Sequence, residues 1–139
     1  MSGAPVVAVG AIVRRGDEVL LVQRGTPPNE NQWAIPGGRV HLGETLQLAA
    51  EREILEETGI RIKAGAVLYT FEHIERDSSG AVRFHYVVLD LAGEYLSGEP
   101  RAGDDAREAR WIPLARLAQW PVNATTMRAL RQLFPELME

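Results

Sequence analysis

Runs of branched apolar residues mark the first two elements of the chain. Residues 6–14 are nearly all small or branched, and residues 19–24 repeat that character after a Gly16-Asp17 turn signal. We therefore predict a β-hairpin at this end. Residues 26–32 contain two prolines and two asparagines, so the pattern predicts a loop there.

The clearest helical pattern covers residues 45–58, with Thr45 as its N-cap and Gly59 just after its last turn. A second amphipathic helix is predicted over residues 125–133. Extended segments are predicted at residues 60–73 and 82–91, and a short strand at 109–112. Residues 36–38 (Pro-Gly-Gly) and 76–80 predict turns, residues 93–105 a loop, and residues 114–117 a helical turn.

Mixed strands with two helices predict an α/β sandwich. Residues 86–89 are apolar on both faces of their strand, which indicates a covered, central position in the sheet. The chain has 139 residues, the length of one compact domain, and we predict a single domain over residues 1–139.

Composition and charge exclude several classes of function. The chain has no cysteine, which rules out disulfides, cysteine zinc sites and thiol nucleophiles. It shows no secretory signal and no apolar run long enough for a membrane span, so we expect a cytoplasmic protein without a membrane partner. The formal net charge of −4 argues against a nucleic acid partner.

Three glutamates share one face of the first predicted helix. Glu53, Glu56 and Glu57 are spaced three and four residues apart, within about one turn. Their repulsion, added to the negative end of the helix dipole, destabilises the helix unless cations neutralise it. Hard oxygen ligands suit Mg²⁺ or Mn²⁺. Arg52 is placed to hold Glu56 by an ion pair, and a backbone carbonyl of residues 36–38 can complete a metal shell.

The stretch from Gly38 to Ile60 resembles the Nudix box. That box reads Gly, five residues, Glu, seven residues, Arg-Glu, an aliphatic residue, any residue, Glu-Glu, any residue, Gly and an aliphatic residue. At average residue usage a chance match is on the order of one in ten million. The matching positions are Gly38, Glu44, Arg52, Glu53, Ile54, Glu56, Glu57, Gly59 and Ile60.

The resemblance implies a Nudix α/β/α sandwich, with a mixed β-sheet flanked by helices, that cleaves nucleoside diphosphates linked to another group. It implies Mg²⁺, which Mn²⁺ can replace, bound by Glu53, Glu56, Glu57 and the carbonyl of Gly37. It also implies that Arg52 orients these acids, that Glu44 is structural, and that Glu53 is the first choice for deprotonating water. A loop carboxylate commonly joins the metal site, and of Asp104, Asp105 and Glu108 we favour Asp105.

Residues 33–38, 85–87 and 104–106 resemble bacterial ADP-ribose pyrophosphatases, which implies ADP-ribose or a similar nucleotide sugar as substrate. The alternative is a pyrophosphohydrolase of (oxidised) nucleoside triphosphates, in which Asn123 would read a purine; Asn123 is equally suited to cap a helix. A non-catalytic nucleotide-sensing module is a third reading, and many relatives are homodimers.

Arg24 and Arg39 are candidate phosphate ligands because arginine forms two parallel hydrogen bonds with such anions. Trp33, Tyr69, Phe71, Phe84 and Tyr86 can stack on a base, although we expect most of these aromatic residues in the core.

Overall fold

The computed structural model describes residues 3–26, 29–103 and 105–138, in which four strands precede the first α-helix and three more precede the second. The strands are β1 (Val6–Arg15), β2 (Glu18–Arg24), β3 (Trp33–Ala34), β4 (Gly37–Arg39), β5 (Arg61–Arg76), β6 (Val82–Ser97) and β7 (Ala106–Pro113). The α-helices are α1 (Leu46–Thr58) and α2 (Ala124–Leu133), and Leu114–Gln119 and Pro135–Leu137 are 3-10 helices.

The strands of the described residues form one mixed sheet. Its main path runs β3-β2-β1-β6-β5, while β4 pairs with β1 and β7 pairs with β2. β1 and β6 are parallel along their length, from Val6 opposite Tyr86 to Arg14 opposite Glu94, whereas the other pairs are antiparallel. β6 lies between β1 and β5, which confirms its predicted central position. β1 pairs with β4 near its beginning and with β2 near its end.

Each face of the sheet carries its own hydrophobic core. Val9, Ala11 and Val13 of β1 are buried against one side of the sheet together with Ile54 of α1. Ile12 points to the opposite side and packs in a second cluster with Leu130 of α2. Alternate side chains of β1 therefore pack against helices on opposite faces of the sheet. The predicted α/β/α sandwich is confirmed. No helix among the described residues is long and apolar enough to cross a bilayer.

The caps of α1 confirm the predicted helix. Oγ1 of Thr45 accepts a hydrogen bond of 3.1 Å from the N–H of Leu48. Gly59 has a left-handed backbone (φ 77°) and donates from its N–H to the carbonyl of Leu55 at 3.0 Å. These local contacts fix both ends of the helix that carries the glutamates.

The prediction of a loop over residues 93–105 is wrong for its first part. β6 continues to Ser97, and Gly93 pairs with Ala64 of β5. A Cβ at Gly93 would lie 2.9 Å from Cγ2 of Val13 and 3.1 Å from Cδ1 of Ile62. Glycine stands there because packing leaves no room for a side chain, not because the chain turns.

The prediction of a turn at residues 36–38 is also wrong. Gly37–Arg39 is an extended strand, β4, that pairs with β1. A side chain at Gly37 would overlap the carbonyl of Val9 and lie 2.7 Å from the Cα of Gly10. The glycines therefore let two backbones approach closely, and β4 brings its own backbone over the end of α1.

Candidate active site

Glu53 and Glu57 lie beside the two glycines of β4. The N–H of Gly37 donates a hydrogen bond of 3.0 Å to Oε1 of Glu57. Gly38 lies directly against the carboxylate of Glu53, because a Cβ added at Gly38 would be only 2.6 Å from Oε2 of Glu53. The spacing of four residues puts both carboxylates on one face of α1, and that face meets the β4 backbone.

Arg52 connects three of the glutamates. Its Nε and Nη2 donate to the two oxygens of Glu44 at 2.7 and 2.9 Å. Its Nη1 donates to Oε2 of Glu53 at 2.8 Å and to Oε1 of Glu56 at 3.3 Å. Nη2 also donates to the carbonyl of Arg39, at the end of β4, at 3.0 Å. A planar group with five N–H donors can hold several acceptors at once, so Arg52 orients these carboxylates relative to β4.

The pair of Arg52 and Glu44 stays charged over the physiological pH range. Hydrogen bonds from the Arg52 side chain and from the N–H of His41 lower the pKa of Glu44 from 4.5 to about 2. The hydrogen bonds to Glu44 and Glu53 raise the pKa of Arg52 above its ordinary value. The Arg52 and Glu44 side chains are 23% and 16% exposed, so the pair is partly shielded from solvent. Glu44 is thus a permanent anchor for Arg52.

The oxygens of Glu53, Glu56 and Glu57 form the donor set that Mg²⁺ and Mn²⁺ prefer. Glu53 and Glu56 both reach Nη1 of Arg52, so these two carboxylates converge on one position. Within residues 3–26, 29–103 and 105–138, no three His, Cys, Asp or Glu side chains are already arranged to hold an ion. The residues fit a divalent cation by their chemistry, and such an ion would compete with the N–H donors of Arg52 and Gly37.

The segment after β6 is fixed to the C-terminal end of α1. The N–H groups of Arg101 and Gly103 donate to the carbonyls of Thr58 and Glu57 at 2.9 and 3.0 Å. The carbonyl of Asp105 accepts a hydrogen bond of 2.9 Å from the N–H of Gly25, after β2. This segment therefore closes one side of the glutamate site.

The three acidic candidates of that segment differ in their surroundings. Asp105 is exposed and lines the cavities described below. The Glu108 carboxylate instead accepts a hydrogen bond of 2.7 Å from Arg110 on the same strand, and it does not line them. Asp104 lies outside the described residues.

Two adjoining cavities open over β4. The first, of about 340 Å³, reaches Glu57. The second, of about 660 Å³, extends along β6 to the N-terminal end of α2. Both are lined by the β4 glycines, by the candidate phosphate ligands Arg24 and Arg39, by Asp105 and by Tyr86. A ligand can therefore span from the glutamate end to the α2 end.

The sequence of this site and of the surrounding fold matches a known family. The model of the NUDIX domain matches residues 4–134. The chain belongs to this family. Its predicted family and its assignment as a Nudix hydrolase are thereby confirmed.

Curated relatives and a solved structure resemble this Nudix chain over most of its length. An ADP-ribose pyrophosphatase of Methanocaldococcus jannaschii is 40% identical over 113 residues, which cover 81% of this chain and 64% of the relative. A putative 8-oxo-dGTP diphosphatase 2 of Mycobacterium tuberculosis is 39% identical, over 81% of this chain and 75% of the relative. The crystal structure of a MutT NUDIX hydrolase from Burkholderia pseudomallei has a TM-score of 0.79 at 32% identity, and covers 94% of this chain and 98% of that one.

The candidate substrate residues of this Nudix domain lie around the second cavity. Nη2 of Arg39 donates to the hydroxyl of Tyr86 at 2.9 Å. Oδ1 of Asn123 accepts from the N–H groups of Thr125 and Thr126 at 2.9 and 3.3 Å, so Asn123 caps α2. Asn123 also lines the second cavity. Asn123 can therefore cap α2 and contact a substrate at the same time.

The expectation that most aromatic residues lie in the core is wrong. Trp33 is 2% exposed and belongs to the second core cluster. Phe71, Phe84 and Tyr86 are only partly buried and line the second cavity. The physical reason is that these three side chains belong to neither core cluster and stand in the wall of an open cavity instead.

Sequence reasoning missed Asp90. This residue is 3% exposed, and burial raises the pKa of its carboxyl to about 6. It lines the second cavity from β6. The available signal was a single carboxylate directly after the apolar run of residues 86–89, in a strand predicted to be covered.

Proposed function

We propose that this Nudix hydrolase cleaves the diphosphate bond of ADP-ribose, or of a similar nucleotide sugar, with Mg²⁺ or Mn²⁺. One observation carries the proposal: the cavity that reaches Glu57 adjoins the larger, aromatic-lined cavity over the same glycine strand. A diphosphate can lie near the acids while the rest of the nucleotide occupies the second cavity.

In this proposal the metal ions are held by Glu53, Glu56, Glu57, the carbonyl of Gly37 and Asp105. When bound, they neutralise phosphate oxygens and lower the pKa of a bound water. Nudix hydrolases generally need divalent ions, which also supply the positive charge that this acidic chain lacks.

The remaining groups of the chain bind, orient and accept protons. Arg52 positions Glu53 and Glu56 through Nη1, and Glu53 accepts the proton of the attacking water. Arg24 and Arg39 line both cavities and bind the phosphate groups. Because Glu53 is held on α1 and the phosphate groups are held by the adjoining strands, less entropy is lost when the reacting groups come together.

The substrate proposal draws on the second cavity and on one relative. A volume of about 660 Å³ is in the range of small-ligand pockets. The Methanocaldococcus jannaschii relative is named an ADP-ribose pyrophosphatase, and this chain spans 64% of its length. The second candidate substrate is an oxidised nucleoside triphosphate, favoured by Asn123 in the cavity wall and by the name of the Mycobacterium tuberculosis relative.

A substrate panel tests the proposal. With Mg²⁺, ADP-ribose should yield AMP and ribose 5-phosphate, separated by ion-exchange chromatography. Release of inorganic pyrophosphate from 8-oxo-dGTP or dNTPs, with ADP-ribose intact, would replace the first substrate class by the second. Binding of ADP-ribose without cleavage of any panel member would indicate a sensor instead of an enzyme.

Glutamine variants test the metal site itself. Glu53→Gln and Glu57→Gln should lower kcat about 100-fold or more while the circular dichroism spectrum stays that of the wild type. Mg²⁺ should raise the melting temperature of the wild type and should do so much less in the two variants. Glu99→Gln, an exposed glutamate outside both cavities, is the matched control. Wild-type rates in Glu57→Gln at saturating Mg²⁺ would refute the assignment.

We further propose that residues 1–139 act as one domain, in the cytoplasm, without a nucleic acid or membrane partner, and as a homodimer. Light scattering after gel filtration distinguishes a dimer from a monomer, and a monomer at micromolar concentration would contradict the last of these proposals.

A further inference from the structure

Asp90 is a buried carboxylate that the diphosphate chemistry leaves unexplained. It lies on β6 opposite Gly10 of β1, is 3% exposed and lines the second cavity. Its carboxylate accepts no hydrogen bond from any residue that the structure describes, and burial is the sole cause of its raised pKa. The side chain therefore faces the cavity without a partner from residues 3–26, 29–103 or 105–138.

Such a group destabilises the empty protein. A carboxylate that is largely removed from water without a compensating donor carries a desolvation penalty. The neighbouring strand is shaped around it, because a Cβ at Gly10 would lie 2.5 Å from Oδ1 of Asp90. An apolar residue at position 90 would suit the sheet better. A locally unfavourable residue in a cavity wall indicates a ligand contact.

The surroundings of Asp90 indicate which part of a ligand it meets. Phe84 and Tyr86 stand on the same side of β6 as Asp90, since they are separated from it by even numbers of residues. Phe84 stacks on His73 with ring centroids 5.3 Å apart, and Tyr86 lies 5.4 Å from Phe84. An aromatic wall that leads to a hydrogen-bond acceptor is suited to a flat base with an N–H edge. A base combines a flat π-face for the aromatic wall with an N–H edge for the acceptor.

A metal ion is a poorer occupant. Among the described residues no cluster of three His, Cys, Asp or Glu includes Asp90. Among the described residues that line this cavity, the other titratable side chains are those of Arg24, Arg39, His73, Tyr86 and Asp105, and two of these are arginines.

We propose that Asp90 accepts a hydrogen bond from the exocyclic amino group of adenine and thereby sets the base preference of the enzyme. This inference rests on the proposed function for the identity of the nucleotide. The phosphate end then lies toward Arg39 and the glutamates, and the base lies along β6 with its amino edge toward Asp90.

The test is a binding cycle with one change in the protein and one in the ligand. AMP, which has no diphosphate to cleave, is compared with purine riboside 5′-monophosphate, in which hydrogen replaces the amino group. Titration calorimetry in Mg²⁺ should give the wild type a preference for AMP of about 10- to 100-fold, as for a hydrogen bond to a charged acceptor. In Asp90→Asn this preference should fall to about threefold or less. Asp17→Asn, an exposed aspartate in the β1–β2 turn, should keep it.

Three outcomes would overturn the inference. The first is a wild type that does not distinguish the two nucleotides. The second is an Asp90→Asn variant that keeps the wild-type preference. The third is an equal loss of affinity for AMP and for ribose 5-phosphate, which would place the sugar hydroxyls on Asp90.

The melting temperature gives an independent measurement. Asp90→Asn should melt at or above the wild-type temperature, because it removes an unpaired buried charge; a structural role would predict a lower temperature. Asp90→Ala repeats the binding cycle without a new donor if the asparagine variant does not fold. Failure of the proposed function is distinguishable, since absent ADP-ribose cleavage in the wild type leaves the AMP preference and its loss measurable.

Discussion

The contact between β4 and Glu53 makes a sharp prediction about Gly38→Ala. The new methyl group would lie 2.6 Å from Oε2 of Glu53 and nearer still to the other two carboxylate atoms. Ordinary contact requires a distance of about 3.5 Å, so the carboxylate must retreat by about 1 Å. The obstructed group is the far end of a flexible side chain, which means that the fold can accommodate the methyl group and the site cannot.

The expected magnitudes separate stability from activity. Gly38→Ala should change the free energy of unfolding by about 1 kcal/mol or less, since alanine also restricts the unfolded chain. A displacement of about 1 Å at a catalytic group lowers kcat on the order of 100-fold. Gly37→Ala should behave differently, because its methyl group meets the backbone of Val9 and Gly10. We expect a loss of about 3 kcal/mol and a melting temperature lower by about 10 °C.

Urea unfolding and ADP-ribose turnover, measured on the same preparations, check this pair. Gly65→Ala is the matched control, because its methyl group would have no neighbour closer than 3.8 Å. If Gly38→Ala is as active as Gly65→Ala, the Glu53 carboxylate does not need the position it has beside β4. If Gly37→Ala is as stable as the wild type, β4 does not need a close backbone approach.

Three further predictions concern the anchors of the site. Thr58→Val should cost about 1–3 kcal/mol in urea unfolding, because Oγ1 of Thr58 donates to the carbonyl of Ile54 at 2.6 Å and accepts from the buried N–H of Ile60 at 3.1 Å; an unchanged midpoint would contradict this. Arg52→Lys should lower kcat about 10- to 100-fold with little loss of stability, because an ammonium with three N–H donors cannot make the five hydrogen bonds of the guanidinium, and an unchanged kcat would show that positioning by Arg52 is dispensable. The free energy of unfolding should depend on pH with opposite signs at two carboxylates. Because the pKa of Asp90 is raised, this free energy should fall by on the order of 3 kcal/mol as pH rises from 3.8 to about 6. Because the pKa of Glu44 is lowered, Glu44 stabilises the fold above pH 4.5, and this contribution is lost as pH falls toward 2. Urea titrations from pH 3 to 7 should show the first dependence vanish in Asp90→Asn and the second in Glu44→Gln.

The parts of the molecule that depend on near neighbours in the chain were predictable. The caps at Thr45 and Gly59 involve contacts within four residues, so their residue types are sufficient evidence. The glutamate face of α1 follows from helical spacing in the same way. The box around these residues therefore identified the family, the fold class and the candidate metal ligands.

Other features depend on strands that are distant in the sequence. Gly37, Gly38 and Gly93 had the residue type of turns, yet they are strand positions where another backbone or side chain approaches closely. Asp90 had the residue type of a surface acid, yet the parallel pairing of β6 with β1 buries it at the end of an aromatic wall. The residue types around a position cannot show which distant strand will pair with the strand that contains it.

The chain on its own thus determined which side chains stand together on α1 and which chemistry they can support, because helix geometry is set by residues three and four apart. The tertiary structure alone decided what faces them: the glycine strand over Glu53 and Glu57, and the cavity that ends at Asp90. Those contacts join residues separated by 15 or more positions, and close packing of the whole sheet, not local preference, selects them.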